Sequence, residues 1–394
     1  HHFGDITDWS DENQVLNYDL GGLDDLNQDN PDARQAIKDA YKAWVEDTGA
    51  DGVRIDAARS LPKDFIQEFE NYLGVPSFGE IFVGDVDYVS DFSNYEWGVL
   101  DFPLFFQARE VFAHDASFTT VKSIFDQDSK YNDVNHLVTF IDNHDRDRFL
   151  CLADDNYQKL RLALTFIFTV RGIPDVYYGT EQNCYGGGVP TEWAGIANKE
   201  NREVMPGFDE DGITFKYIQR LTELRKEYAC LQTGTQREMW AEDNIYAFSR
   251  RDDSNGQEII SVFNNGTSNE TRAIPLRAES SLAVGTTLTN LLDTSVTATV
   301  EAGGITGKVL NLTIPAKTAW VFTSDNVADY APPARTVTTI RVHYDVGLGN
   351  TMYLRGSDYP LTWDSGRSML NVSSDVGFMK RNVSARARAL SSSR

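Results

Sequence analysis

Cysteine is scarce in this chain. There are three in 394 residues, Cys151, Cys184 and Cys230, an odd count without metal-ligand spacing. Free thiols, or one disulfide beside a free thiol, remain open, and no disulfide-stapled framework is expected. Long apolar runs are also missing. No stretch of about 18 apolar residues occurs, so no transmembrane helix is expected, and no signal peptide is visible after His1-His2-Phe3-Gly4-Asp5. Positive charge is in short supply. Lys and Arg number 36 against 59 Asp and Glu, a net charge of -23. That balance argues against nucleic acid or an anionic membrane as partner, and is compatible with a neutral polymer. What is present, 41% hydrophobic and 24% charged residues, suits a globular protein of two or three domains.

Residues 1–29 are polar and Asp/Asn-rich and predict loop. Asn30-Pro31 starts a helix, with Asn as N-cap and Pro in the first turn. Ile37, Tyr41, Trp44 and Val45 share one helical face, and Gly49 stops it. A strand over 51–58, a helix over Lys63–Leu73 and a strand over 77–82 come next. The alternation continues through an apolar run at Val99–Phe105, a strand at Val138–Asn143, a helix at Tyr157–Val170, a strand at Asp175–Gly179 and a helix at Phe215–Tyr228. This pattern predicts a parallel sheet with crossover helices. After about residue 231 the texture turns antiparallel. Asn244–Arg250 and Glu258–Phe263 flank a hairpin signal, and Val309–Ile314 and Thr318–Phe322 continue toward a small sandwich. A Pro-containing linker, Ala331-Pro332-Pro333, leads to a segment alternating at Thr339–Tyr344. Residues 367–394 carry six basic side chains and one acid, and are expected to be disordered.

Three carboxylates stand at the ends of apolar β-runs: Asp56 in Asp51-Gly52-Val53-Arg54-Ile55-Asp56, Glu80 in Phe78-Gly79-Glu80-Ile81, and Asp145 in Phe140-Ile141-Asp142-Asn143-His144-Asp145. In a parallel α/β barrel, strand C-termini converge on one face, so acids distant in sequence can meet there. Such acids are what glycoside hydrolysis needs. Arg54 and Asp56 are two apart on one strand and point the same way, so the arginine holds Asp56 ionised as a nucleophile requires. Glu80 is the natural proton donor if its surroundings raise its pKa. His144 and Asp145 can bind sugar hydroxyls and oppose charge developing on the ring.

Together with Gly172-Ile173-Pro174-Asp175-Val176-Tyr177-Tyr178-Gly179-Thr180-Glu181-Gln182, these motifs resemble the α-amylase family of glycoside hydrolases over residues 1 to about 325. His1–Trp9, Leu23–Gln28, Asn201-Arg202-Glu203 and Leu221–Arg225 are similar to its cyclodextrin glucanotransferase and maltogenic amylase branch. The resemblance implies a (β/α)8 barrel, a loop domain after strand 3 and a C-terminal β-sandwich. It implies Asp56 as nucleophile, Glu80 as acid/base, Asp145 as transition-state stabiliser, and Arg54, His144, Arg59 and Arg202 as substrate-side residues. Asp25 matches a family calcium ligand, so structural calcium is expected. Arg59-Ser60 stand where the family usually has Lys-His, and Asn198 where Asp is common. The first visible strand matches barrel strand 4.

The expected fold is therefore α/β: a partial (β/α)8 TIM barrel, strands 4–8, then an antiparallel β-sandwich and a truncated β-segment. Residues 1–22 are the remnant of the loop domain, 23–230 the C-terminal part of the barrel, 231–325 the sandwich, 326–335 a linker, and 336–394 a truncated starch-binding-like segment with a basic tail, in which Trp363 is a candidate glucose-stacking residue. The expected activity is retaining hydrolysis of α-1,4-glucosidic bonds in starch and related glucans, in a secreted enzyme, with the chain inactive alone. The alternatives are a cyclodextrin glucanotransferase or other α-glucan transglycosylase and, from another class, a non-catalytic starch-binding protein.

Overall fold

Each short apolar run before residue 230 pairs with the next one along the chain. The computed structural model describes residues 3–186, 200–205 and 207–333, and strands at 338–343, 353–354, 367–368, 370–373 and 376–381. Strands β1 (Val53–Ile55), β2 (Ser77–Gly79), β3 (Gly98–Leu100), β4 (Leu137–Thr139) and β5 (Ile173–Pro174) form one parallel sheet in that order. The register runs Val53↔Ser77, Phe78↔Gly98, Val99↔Leu137 and Val138↔Ile173. Parallel neighbours need crossovers. These are α3 (Lys63–Leu73), α4 (Val86–Phe92), α5 (Phe102–His114), α6 (Thr119–Phe125), α7 (Phe149–Leu152) and α8 (Tyr157–Thr169), preceded by α1 (Glu12–Asn17) and α2 (Pro31–Thr48). Phe78, Leu100 and Val138 pack with Phe82, Phe102, Phe105 and Phe140 on one face of the sheet, while Val99 and Leu137 face the helices.

Local sequence explains most boundaries. Asn30 caps α2 by accepting from the Asp32 amide at 2.9 Å, and Gly49 closes it at φ 68°. Some expectations are corrected. Residues 1–29 are not all loop, because Asp11 caps α1 by accepting from the amides of Asn13 and Gln14. The proposed apolar face of α2 divides: Val45 is buried, but Trp44 and Tyr41 are exposed. The run at Val99–Phe105 is not one element. Asp101 accepts from the Leu104 amide at 3.1 Å and starts α5, with Pro103 in its first turn. The strand expected over Asp175–Gly179 lies earlier, at Ile173–Pro174. Asp175 makes one further bond to the Thr139 carbonyl at 2.8 Å. The chain then leaves the sheet, because Arg148 binds the Tyr178 carbonyl and Gly179 turns at φ 85°.

Beyond residue 230 the strands lengthen. One six-stranded sheet has the order β11 (Thr297–Thr299), β10 (Thr287–Asn290), β14 (Thr318–Thr323), β8 (Glu258–Asn264), β7 (Ile245–Arg251), β6 (Thr235–Ala241). A second joins β12 (Glu301–Ala302), β13 (Lys308–Ile314) and β9 (Glu270–Pro275). Ile245, Ala247, Ile260, Val262 and Phe322 meet Ile274, Leu310, Leu312 and Ile314 between the sheets. The opposite side chains of the large sheet, Tyr246, Phe248, Phe263 and Val321, join the helices of the parallel domain. Phe263 lies 5.8 Å, centroid to centroid, from Phe166 of α8. Strands β7 and β8 are therefore buried on both faces.

The last segment corrects the expectation of disorder at 367–381. There β17 (Arg367–Ser368), β18 (Leu370–Ser373) and β19 (Val376–Arg381) pair with β16 (Tyr353–Leu354), with one another and with β15 (Thr338–His343). Trp363 and Asn198 lie outside the described residues.

Candidate active site

The sheet brings β1 and β2 side by side, so the residues just past their ends become neighbours. Asp56 comes directly after β1 and Glu80 directly after β2. The Glu80 amide donates to the Ile55 carbonyl at 2.9 Å, which continues the ladder by one bond and sets the carboxyl beside Asp56. Arg54 bridges the two, its Nη1 2.7 Å from Asp56 Oδ1 and its Nη2 3.0 Å from Glu80 Oε2. The same-face placement expected from strand periodicity is thus observed.

The two acids differ in surroundings. The Asp56 side chain is 71% exposed and that of Glu80 is 9% exposed. Burial pushes the Glu80 carboxyl up to about 7; the Asp56 charge pushes the same way, while Arg54 opposes both. Burial would also raise Asp56, but hydrogen bonds from Arg54 and from Glu80 outweigh it and hold Asp56 below the usual carboxylate range. The surroundings therefore favour the proton on Glu80 and the charge on Asp56. Ala57 adds something the sequence did not signal. It sits at φ 46°, a strained value for a residue with a side chain, and its amide points at Glu80 Oε2 at 3.3 Å.

Asp145 gathers a second cluster beyond β4. It lies 3.3 Å from His144 Nε2 and 2.6 Å from Arg202 Nη2, and Arg202 Nε donates to the His144 carbonyl at 2.8 Å. A charge interaction with His144 adds to what lowers Asp56. Arg59 is placed differently. Its guanidinium donates to the Trp9 carbonyl at 2.7 Å and lies between the rings of Trp9 (4.9 Å) and Tyr88 (5.1 Å). Neither Trp9 nor Tyr88 was singled out as an aromatic partner, since the pairing joins residues 50 and 29 positions from Arg59.

Asp25 is half-buried, and burial with the nearby charge of Asp19 pushes its carboxyl up. A cation would relieve that. Among the described residues, however, no group of three His, Cys, Asp or Glu could hold a metal ion. No described helix is long and apolar enough to cross a membrane.

Residues 1–212 match the family model described as alpha amylase, catalytic domain. The chain is 38% identical over 334 residues to a β/α-amylase of Paenibacillus polymyxa, covering 82% of this chain and 26% of that one. It is 33% identical to a cyclomaltodextrin glucanotransferase of a Bacillus species (strain 38-2), covering 83% of this chain and 45% of that one. The fold superposes with a TM-score of 0.73 and 32% identity on CldA, a cyclomaltodextrin glucanotransferase with a three-domain ABC distribution, over 83% of this chain and 66% of that one. The chain therefore spans less than half the length of these two curated relatives.

Proposed function

The chain belongs to the α-amylase family of glycoside hydrolases, and we propose that it carries the catalytic residues of a retaining α-glucan hydrolase acting on α-1,4-glucosidic bonds of starch. The observation that supports this is the Asp56–Glu80 pair bridged by Arg54, with one carboxyl open and held low and the other buried and pushed up to about 7. Both are held by one Arg54 guanidinium, at 2.7 and 3.0 Å. Retaining enzymes set their two carboxyls about 5–5.5 Å apart, and inverting ones about 6.5–9.5 Å to leave room for an attacking water; two acids sharing one guanidinium suit the closer arrangement. In this reading Asp56 attacks the anomeric carbon while Glu80 protonates the departing glycosidic oxygen. Glu80, now ionised, then takes a proton from the water that releases the sugar from Asp56. Arg54 keeps Asp56 anionic. Asp145, oriented by His144 and Arg202, opposes positive charge on the ring. Arg59, with Trp9, lines the acceptor side.

A second reading, transglycosylation to cyclodextrins, is favoured by the names of two of the relatives above. The two share the first chemical step and differ in whether water or a sugar hydroxyl accepts the glycosyl group. We further propose that β1–β5 occupy the places of barrel strands 4–8. The edge position of β1, which among the described strands pairs with β2 alone, supports this, as does the cavity of about 630 Å³ beside it, lined by Leu23, Ile37, Val53, Ile55 and Phe65. Structural calcium, with Asp25 as one ligand, and secretion belong to the same proposal, and no chemical step runs through the metal.

The test is turnover of α-1,4-glucan by the natural protein containing these residues. Asp56→Asn should lower it by about 10³-fold or more while glucan binding persists. Turnover within tenfold of wild type in that variant would remove Asp56 from the role.

A further inference from the structure

A second carboxyl lies behind the strand that carries Glu80. Glu96 is 5% exposed, and neither of its carboxyl oxygens has a hydrogen-bond partner. It rests against Gly79: a Cβ at that position would stand 2.7 Å from Glu96 Oε2 and 2.8 Å from its carboxyl carbon. Gly79 and Glu80 are consecutive, so Glu96 supports the strand from the face opposite the Glu80 side chain.

Glu70 of α3 completes the cluster. Its Oε2 accepts from the Ser77 amide at 2.7 Å and the Trp97 amide at 2.9 Å, tying the start of β2 to the segment before β3. Its charge faces Glu96. Among the described residues it is the one ionisable group that acts on Glu96 appreciably. Strand β2 presents Ser77 and Gly79, and His136 is held on the Trp97 ring and carbonyl. An ionised carboxylate at Glu96 would therefore be buried, unpaired and repelled, which is costly.

We propose that Glu96 is a positioning residue that braces Gly79–Glu80 only while its carboxyl is protonated, so that this cluster forms an alkaline-sensitive switch behind the site. Burial first, and Glu70 second, push Glu96 up to about 9. A carboxyl raised on folding contributes stability that is fully present below its ordinary value and is lost as pH rises through its folded value. The window therefore runs from roughly pH 5 to pH 9. The inference takes from the proposed function only the role of Glu80. Its readouts are structural and keep their meaning if Asp56→Asn leaves turnover intact.

The experiment is denaturant unfolding of the full chain from pH 5 to 10, with amide exchange at Glu80. From this one group, the unfolding constant of the wild type should rise about tenfold per pH unit across the window. Glu96→Gln should remove that component and match the wild type near pH 5. The protection of the Glu80 amide should fall at alkaline pH in the wild type and persist in the variant. An unchanged pH slope in Glu96→Gln would overturn the proposal. Infrared spectra of the wild type are a second test that needs no variant. A protonated-carboxyl band should survive at pH 8, beyond the titration of Glu80, and its absence there would also overturn the proposal.

Discussion

The parallel sheet and the antiparallel sandwich use similar apolar residues but bury different things. Strands β1–β5 have two or three residues each, whereas β7, β8 and β13 have seven. The short strands end early, and polar residues are buried just past their ends: Glu80 after β2, Asp101 after β3, Asp142 beyond β4. Between the sandwich sheets, the packed cluster around Ile260, Leu310 and Phe322 is apolar. The sheet thus gives up ladder and apolar packing to hold acids just past its strand ends, while the sandwich keeps its ladders and seats its buried charges, Arg250 and Glu258, within the strands. Perturbed acids and unpaired buried oxygens concentrate on the side where chemistry is proposed, as expected when catalytic groups are tuned by burial and neighbours.

The comparison is sharpened most by Arg171, where the parallel domain meets the sandwich. It is 1% exposed, pairs with buried Asp101, and binds Asp128 at 2.8 Å. Its backbone amide donates to Gln236 of β6 at 2.8 Å. Arg171→Met leaves Asp101 buried without its cation, and should cost about 3–5 kcal/mol by denaturant unfolding. A loss under about 1 kcal/mol would mean that this pair contributes no more than a surface ion pair, and that the polar region is held by packing as the sandwich is.

Leu310→Ala comes next. Leu310 is fully buried between the sandwich sheets. Truncation should cost about 3 kcal/mol, from lost transfer energy and the cavity left behind. The Asp56–Glu80 geometry should be untouched, so activity per folded molecule should hold well below the melting temperature. A change in the pH dependence of activity in this variant would show that the two regions are not separable.

How much was legible divides along the same line. The sandwich strands announced themselves through apolar β-runs flanking a hairpin signal, and the observed Glu258–Asn264 and Thr318–Thr323 differ from expectation by one residue. Helices closed by a glycine, such as Lys63–Leu73 with Gly74 beyond it, were equally plain. The parallel strands were recognised but read too long, because apolar character continues past the last ladder bond. The place of Asp56 and Glu80 was readable from strand ends and spacing. The environment of Glu96 was not, since a glutamate in Asn94-Tyr95-Glu96-Trp97 carries no local sign that Gly79 packs on it. Nor was the stacking of Arg59 between Trp9 and Tyr88, which only the folded chain creates.

The smallest expected effect probes Glu80 itself. If it acts as the acid, its protonated form is needed, so kcat/KM should fall as pH rises through about 7. The fall should reach about tenfold per pH unit, or about 1.4 kcal/mol. Arg54 pulls that carboxyl down against burial. Replacing it by Gln removes the pull, so the alkaline limb should move to higher pH even as overall turnover drops, because Asp56 loses the same partner. Leu310→Ala, in the sandwich, should leave the limb where it is. A limb that stays fixed in Arg54→Gln would mean that Glu80 is not the group titrating. One that moves in Leu310→Ala would mean that the sandwich reaches into the site's electrostatics, contrary to the separation drawn between the two regions.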